Sequence, residues 1–198
     1  VRFDPSAAGL RTATLTVNND DSDEGTYDFA LQGNGANAEV TVRGNSVNIA
    51  DGDGTPSTAD HTDFGSVGLI NATFDRTFTI ANTGNVALGV GNVTTSGTHA
   101  AEFRIITQPT STVAPSGTTT IVVRFDPAGT GVRSATLTFT NTDDNVSDGL
   151  TETTFDFAIQ GRGDGPGISN FPTTLSFAAM VGNSPASQTF SVTNVGPG

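Results

Sequence analysis

The chain has no cysteine, no tryptophan and no lysine, and its eight basic residues are all arginine. Without cysteine there is neither a disulfide nor a thiolate metal site. Without lysine there is no Schiff-base chemistry, no lysine to reach phosphates from a glycine-rich loop, and no Lys–Asn isopeptide crosslink. Histidine occurs only at His61 and His99, both in polar stretches without a partner at ligand spacing. A histidine metal site and a nucleophile–histidine triad are therefore not indicated. No apolar run is long enough to span a bilayer. Positive charge is scarce as well: the net charge is -12, which repels phosphate backbones and anionic membranes and argues against nucleic-acid binding. Carboxylates are plentiful, but none sits in an evidently apolar segment that would raise its pKa, so a glycosidase pair is not supported. No catalytic residue is assigned.

What the chain does contain is repetition. Residues 1–9 read VRFDPSAAG and residues 123–131 read VRFDPAGTG, so Phe3 and Phe125 stand 122 positions apart. Arg11 is followed by Ala13-Thr14-Leu15-Thr16, and Arg133 by Ala135-Thr136-Leu137-Thr138. DFALQGNG at 28–35 returns as DFAIQGRG at 156–163. A period of this size is one domain length, so a whole domain is repeated. The expected organisation is the C-terminal half of one domain in residues 1–35, a complete domain in 36–163, and the N-terminal part of a third in 164–198. In the third, Leu175-Ser176-Phe177 aligns with Thr62-Asp63-Phe64, and residues 188–196 (QTFSVTNVG) align with 76–84 (RTFTIANTG). Neither partial copy has a counterpart of roughly residues 86–120. Either the chain is an excerpt of a longer array, or neighbouring chains complete its half-domains by strand addition.

Alternation sets the secondary structure. Ala13, Leu15 and Val17 alternate with threonines, and Tyr27, Phe29 and Leu31 share one parity, which predicts a hairpin around the turn at 18–25. In the complete copy, strands are predicted over 40–49, 64–67, 74–81, 87–93, 103–106, 118–125, 134–140 and 154–160. Arg76 shares the inward parity of Phe74, Phe78 and Ile80, which demands a bulge or a snorkelling stem. No helical period of useful length is present. About seven short strands with regular turn signals, few charged residues (14%) and 34% apolar residues predict an all-β chain of tandem β-sandwiches of the immunoglobulin type.

The pattern FDP…G…R.ATL…(Y/F)DFA(L/I)QG, preceded by IADGDGTPSTADHTDFGSV and RTFTIANTG, resembles the bacterial choice-of-anchor D repeat, part of the broader Hydin-like, immunoglobulin-like group. The resemblance covers nearly all of 36–163, the whole of 1–35 and, more loosely, the tail, where 171–182 lacks the GDGTPS loop. It implies tandem sandwiches in large secreted or surface-anchored bacterial proteins, beside adhesive or enzymatic domains. It carries no catalytic residue set.

Asp51, Asp53, Asp60 and Asp63 cluster in one polar loop that begins like an oxygen-rich calcium site, and they are the candidate metal ligands. The EF-hand pattern fails, because Pro56 stands where glycine is needed and Thr62 where glutamate is. The alternative is an acidic turn whose side chains bond the local backbone. Calcium is the one cofactor left open. Two further acidic turns, with Asp20, Asp21, Asp23 and Glu24 and with Asp143, Asp144 and Asp148, differ in length, as solvated tips do. Asp4 and Asp126 of the FDP motifs are expected to be structural, each bonded across its corner to Arg11 or Arg133. Asn71-Ala72-Thr73, Asn92-Val93-Thr94 and Asn145-Val146-Ser147 fit the glycosylation sequon. The 13 Phe residues fall at inward positions, and one Tyr with no Trp disfavours sugar binding.

Together these features predict a non-catalytic structural module of an extracellular or cell-surface protein, acting as stalk, spacer or fibre-forming unit. Its partners would be neighbouring repeats or copies of itself. The competing expectation is an adhesive or ligand-binding module for a glycan, a surface protein or calcium.

Overall fold

The computed structural model describes residues 1–70, 72–143, 153–166, 168–169, 174, 176–178, 181–182, 185 and 187–194. Asn71, Asp144, the sequon at 145–147, Asp148, Leu175 and Gly196 lie outside them. The chain is all-β. Strands β1 (Gly9–Asn18) and β2 (Thr26–Gly35) form the first hairpin. There follow β3 (Val40–Gly44), β4 (Val47–Ile49), β5 (Asp63–Gly68), β6 (Phe74–Asn82), β7 (Leu88–Gly89), β8 (Thr94–Ser96), β9 (Phe103–Thr107), β10 (Thr112–Val113) and β11 (Thr118–Phe125). Two long strands, β12 (Gly131–Thr140) and β13 (Thr154–Asp164), precede two short ones, β14 (Ile168–Ser169) and β15 (Thr193–Asn194).

Two sheets face each other between residues 38 and 164. One has the order β4-β3-β6-β11-β9 and the other β5-β13-β12-β8. Period-two alternation supplies both inner faces. Val40, Val42, Phe78, Ile80, Ile121, Val123, Phe125 and Phe103 come from the first sheet, and Phe64, Ala135, Leu137, Phe139, Phe155, Phe157 and Ile159 from the second; all are buried. Phenylalanine rings bridge the layers. Phe78 meets Phe157 edge-on at 5.3 Å and Phe64 meets Phe103 at 5.4 Å, while within the first sheet Phe103 stacks on Phe125 at 4.6 Å. This is an immunoglobulin-like sandwich, in which neither sheet could hide its apolar face without the other.

The structure departs from the sequence pattern at identifiable places. The strand predicted over 40–49 is two strands, because Asn45 and Ser46 both take positive φ (51° and 64°) and make a two-residue hairpin turn. The strand predicted over 87–93 shrinks to Leu88–Gly89 and a bridge from Val90 to Asn141. There the chain closes on the end of β12: a Cβ on Gly89 would lie 2.8 Å from Thr142 Cγ2. A short 3-10 turn, Ala100–Glu102, leads into β9. Arg76 makes no bulge. Its ladder to β11 is unbroken, and its guanidinium lies 4.6 Å over the Phe74 ring, so the stem snorkels.

The hairpin β1–β2 repeats β12–β13. Gly9 pairs with Gly35 as Gly131 pairs with Gly163, and every rung to Asn18↔Thr26 matches one up to Thr140↔Thr154. The pair β14–β15 sets Ile168 opposite Asn194, as β3 and β6 set Val40 opposite Asn82.

Candidate functional site

The polar loop between β4 and β5 carries Asp51, Asp53 and Asp60, Asp63 opens β5, and the fold lays this stretch along the outer edge of β13. The Asp156 N–H donates to Asp51 Oδ1 at 2.8 Å, and Gly52 N–H returns a bond to the Asp156 carbonyl, also 2.8 Å. Ala158 N–H donates to the Asp53 carbonyl at 2.7 Å, and Gln160 N–H to that of Thr62 at 2.9 Å. Beyond Gln160 the strand β5 takes over, pairing parallel with β13 through Arg162↔Ser66 to Asp164↔Gly68. Alternate residues 156, 158, 160 and 162 are thus met in turn, and the edge is closed to other strands.

The carboxylates hold this loop in shape. Asp53 Oδ1 accepts from the Thr55 N–H at 2.9 Å and its hydroxyl at 2.7 Å. Those bonds, the hydroxyl's first, keep the Asp53 carboxyl below its ordinary value of 3.8. Asp60 Oδ1 accepts the same two groups from Thr62, at 3.0 and 2.6 Å. Asp63 accepts from Gly65 N–H at 2.8 Å and from Gln160 Nε2 at 2.9 Å. Each aspartate has its own partners: Asp53 and Asp60 bond within the loop, Asp51 bonds β13, and Asp63 does both. Among the described residues, no group of three or more His, Asp or Glu side chains converges as a cation would require. His61 lies within this loop at φ 68°, with burial and then the Arg76 charge holding its pKa below the usual 6.5. His99 Nδ1 accepts the Ser134 N–H at 3.1 Å. Both histidines have structural surroundings.

The FDP corners differ from their expected wiring. Arg133 Nε donates to the Gly129 carbonyl at 3.0 Å and lies 3.5 Å from Glu102 Oε2. Arg11 Nε donates to the Ala7 carbonyl at 3.2 Å, the equivalent atom, while Asp4 pairs with Arg2 at 3.1 Å. The arginine therefore clamps the turn through a carbonyl, not through the motif aspartate. The proline turn brings a carbonyl lone pair within a guanidinium's reach, and the aspartate points elsewhere. The corner also explains two glycines: a Cβ on Gly161 would run into the Phe125 ring, and one on Gly33 into the Phe3 ring.

Asp143 was expected at a solvated tip, and it is buried. Its Oδ2 accepts the Val40 N–H at 2.8 Å, tying the β12–β13 turn to the start of β3. Asn141 Oδ1 shapes that turn by accepting the Asp143 N–H at 2.7 Å. The first hairpin opens its turn with the same bond, Asn19 Oδ1 accepting the Asp21 N–H at 2.7 Å. Sequence reasoning missed Asp143 because its partner is about a hundred residues away. The signal available was the shared Asn-x-Asp at 19–21 and 141–143.

The fold is that of an immunoglobulin-like domain, and this loop seals one of its edges. Comparison with known families agrees on the fold: residues 57–153 match the family described as HYDIN/CFA65/VesB-like, Ig-like domain. No curated protein matches the chain. Among solved structures, a protein of unknown function from Porphyromonas gingivalis W83 is similar at TM-score 0.44 and 14% identity, over 79% of this chain and 66% of that one. The PapD-like domain 7 of human CEP192 is similar at TM-score 0.37 and 14% identity, over 64% and 86% respectively. The secreted serine protease VesC of Vibrio cholerae is similar at TM-score 0.36 and 15% identity, over 56% of this chain and 22% of VesC. No helix among the described residues is long and apolar enough to cross a membrane.

Proposed function

We propose that the chain is a non-catalytic structural segment of tandem immunoglobulin-like sandwiches, working as a spacer, stalk or fibre-forming unit at a bacterial cell surface or outside the cell. The observation that carries this reading is the recurrence of one built unit. The hairpin β1–β2 copies β12–β13 rung for rung, with the same arginine-to-carbonyl clamp, and β14–β15 starts with the pairing that opens β3–β6. A sandwich repeated in series transmits load from core to core, and its chemistry is spent on turns and edges. The high negative charge keeps such an array soluble and spaced.

The reading is tested by pulling the chain from its two ends in a force spectrometer. The sandwich of residues 36–163 is expected to open in one event that lengthens the tether by on the order of 400 Å. Smooth extension without a discrete event would remove the load-bearing role.

A further inference from the structure

The face of β1–β2 that points as β12–β13 points into the core is open. Phe3, Tyr27 and Phe29 are 51%, 60% and 43% exposed, whereas their counterparts Phe125, Phe155 and Phe157 are 0%, 3% and 0% exposed. The rings are already set for a partner. Tyr27 and Phe29 lie 6.2 Å apart, as Phe155 and Phe157 lie 6.3 Å apart, although only the second pair is packed. A cavity of about 280 Å³ opens beside Phe3, lined by Val1, Arg11, Ala13, Leu31 and Gly33 among others. In the complete sandwich the equivalent place beside Phe125 holds the rings of Phe64 and Phe103.

The polar groups of the hairpin match the same absent cover. The Asp21 carboxylate is the counterpart of Asp143, which receives the first amide of the covering sheet, Val40 N–H. Arg11 is the counterpart of Arg133, which meets Glu102 at the end of the turn that leads into β9 of the covering sheet. The two charges therefore suit a sheet that brings an amide to one end of the hairpin and a carboxylate to the other. The outer edge of β2 has no strand beside it among the described residues, whereas the loop and β5 close that of β13.

Resting on the tandem reading above, we propose that β1–β2 is a docking surface for one occupant: a five-stranded sheet of this same repeat type, joined to the hairpin at Val1-Arg2-Phe3, the segment that repeats the end of β11 at Val123-Arg124-Phe125. It brings the apolar row that Val42, Phe78, Ile80, Ile121 and Val123 form over β12–β13, and a loop and edge strand that close β2.

The test adds a second copy of residues 36–122 in front of Val1, keeping the whole chain, and reads amide hydrogen exchange. In the extended chain the amides of β1 and β2 exchange at least about a hundredfold more slowly than in the parent chain, approaching those of β12 and β13. Phe29→Asp in the extended chain removes that protection and leaves β12–β13 protected. Asp21→Ala exposes the Val40 amide of the added copy while the original Val40 stays protected. Unchanged exchange in β1–β2, with β12–β13 protected as the internal control of folding, overturns the proposal. So does protection in the parent chain that rises with concentration and with a sedimentation dimer, because the occupant is then a second copy of this chain. Either failure leaves the load-bearing reading of residues 36–163 standing, since the force measurement tests that independently.

Discussion

Asp53 shows how the candidate site uses a carboxylate. One oxygen accepts both the amide and the hydroxyl of Thr55, which stabilises the ionised form and lowers the folded-state pKa below 3.8. The unfolded chain takes up that proton at a higher pH than the folded one. The stabilisation is therefore full above about pH 4 and is lost as pH falls through the folded value. Asp53→Asn keeps the acceptor and abolishes the titration. Its urea stability is expected to fall less than that of the parent between about pH 4 and pH 2. Parallel losses in the two chains would show that the Thr55 bonds do not discriminate the charged form. The loop's Asp-x-Thr spacing, at Asp53 and Thr55 and again at Asp60 and Thr62, was legible in the sequence as a backbone-bonding turn. What could not be read was the strand it lies against, since β13 begins about a hundred residues later.

At the scale of elements, the hairpin β12–β13 is held to the facing sheet at both ends. The Asp143 carboxylate takes the Val40 amide at one end, and Arg133 meets Glu102 at the other. Asp143→Ala leaves a buried amide without its acceptor and is expected to cost about 1–3 kcal/mol in urea unfolding. Asp21→Ala, at the same place in the open hairpin, is expected to change the parent chain by no more than about 0.5 kcal/mol. Equal effects would mean that Asp143 acts within its own turn and not across the sheets. The strands themselves were largely legible. Thr118–Phe125 alternates cleanly, and the repeats fix both long hairpins in register. The errors fall where a backbone dihedral or a close approach decides, as at Asn45-Ser46 and Gly89, because side-chain period says nothing about either.

The whole molecule carries the same hairpin in two environments, which makes it its own control. Phe157 is sealed against Phe78 and Phe155, and Phe157→Ala is expected to cost about 3–5 kcal/mol from lost burial and the cavity left behind. Phe29→Ala, with the same neighbours in sequence, is expected to stay within about 0.5 kcal/mol in the parent chain, since its ring is already 43% exposed and no facing sheet among the described residues packs on it. Differential melts of the two variants check this, and a large loss for Phe29→Ala would mean that the first hairpin is already covered in solution. The all-β class, the period of 122 positions between the FDP corners and most inward faces were readable from the chain alone, because alternation and repetition are local properties; Phe74, at an inward parity, is nonetheless 41% exposed. What each face and edge meets came from the packing of the folded chain. It set Asp51, Asp53 and Asp63 along β13 with Asp60 turned to Thr62, buried Asp143 against β3, and showed one hairpin covered and its copy bare. Those outcomes depend on contacts between segments far apart in sequence, which no local pattern encodes.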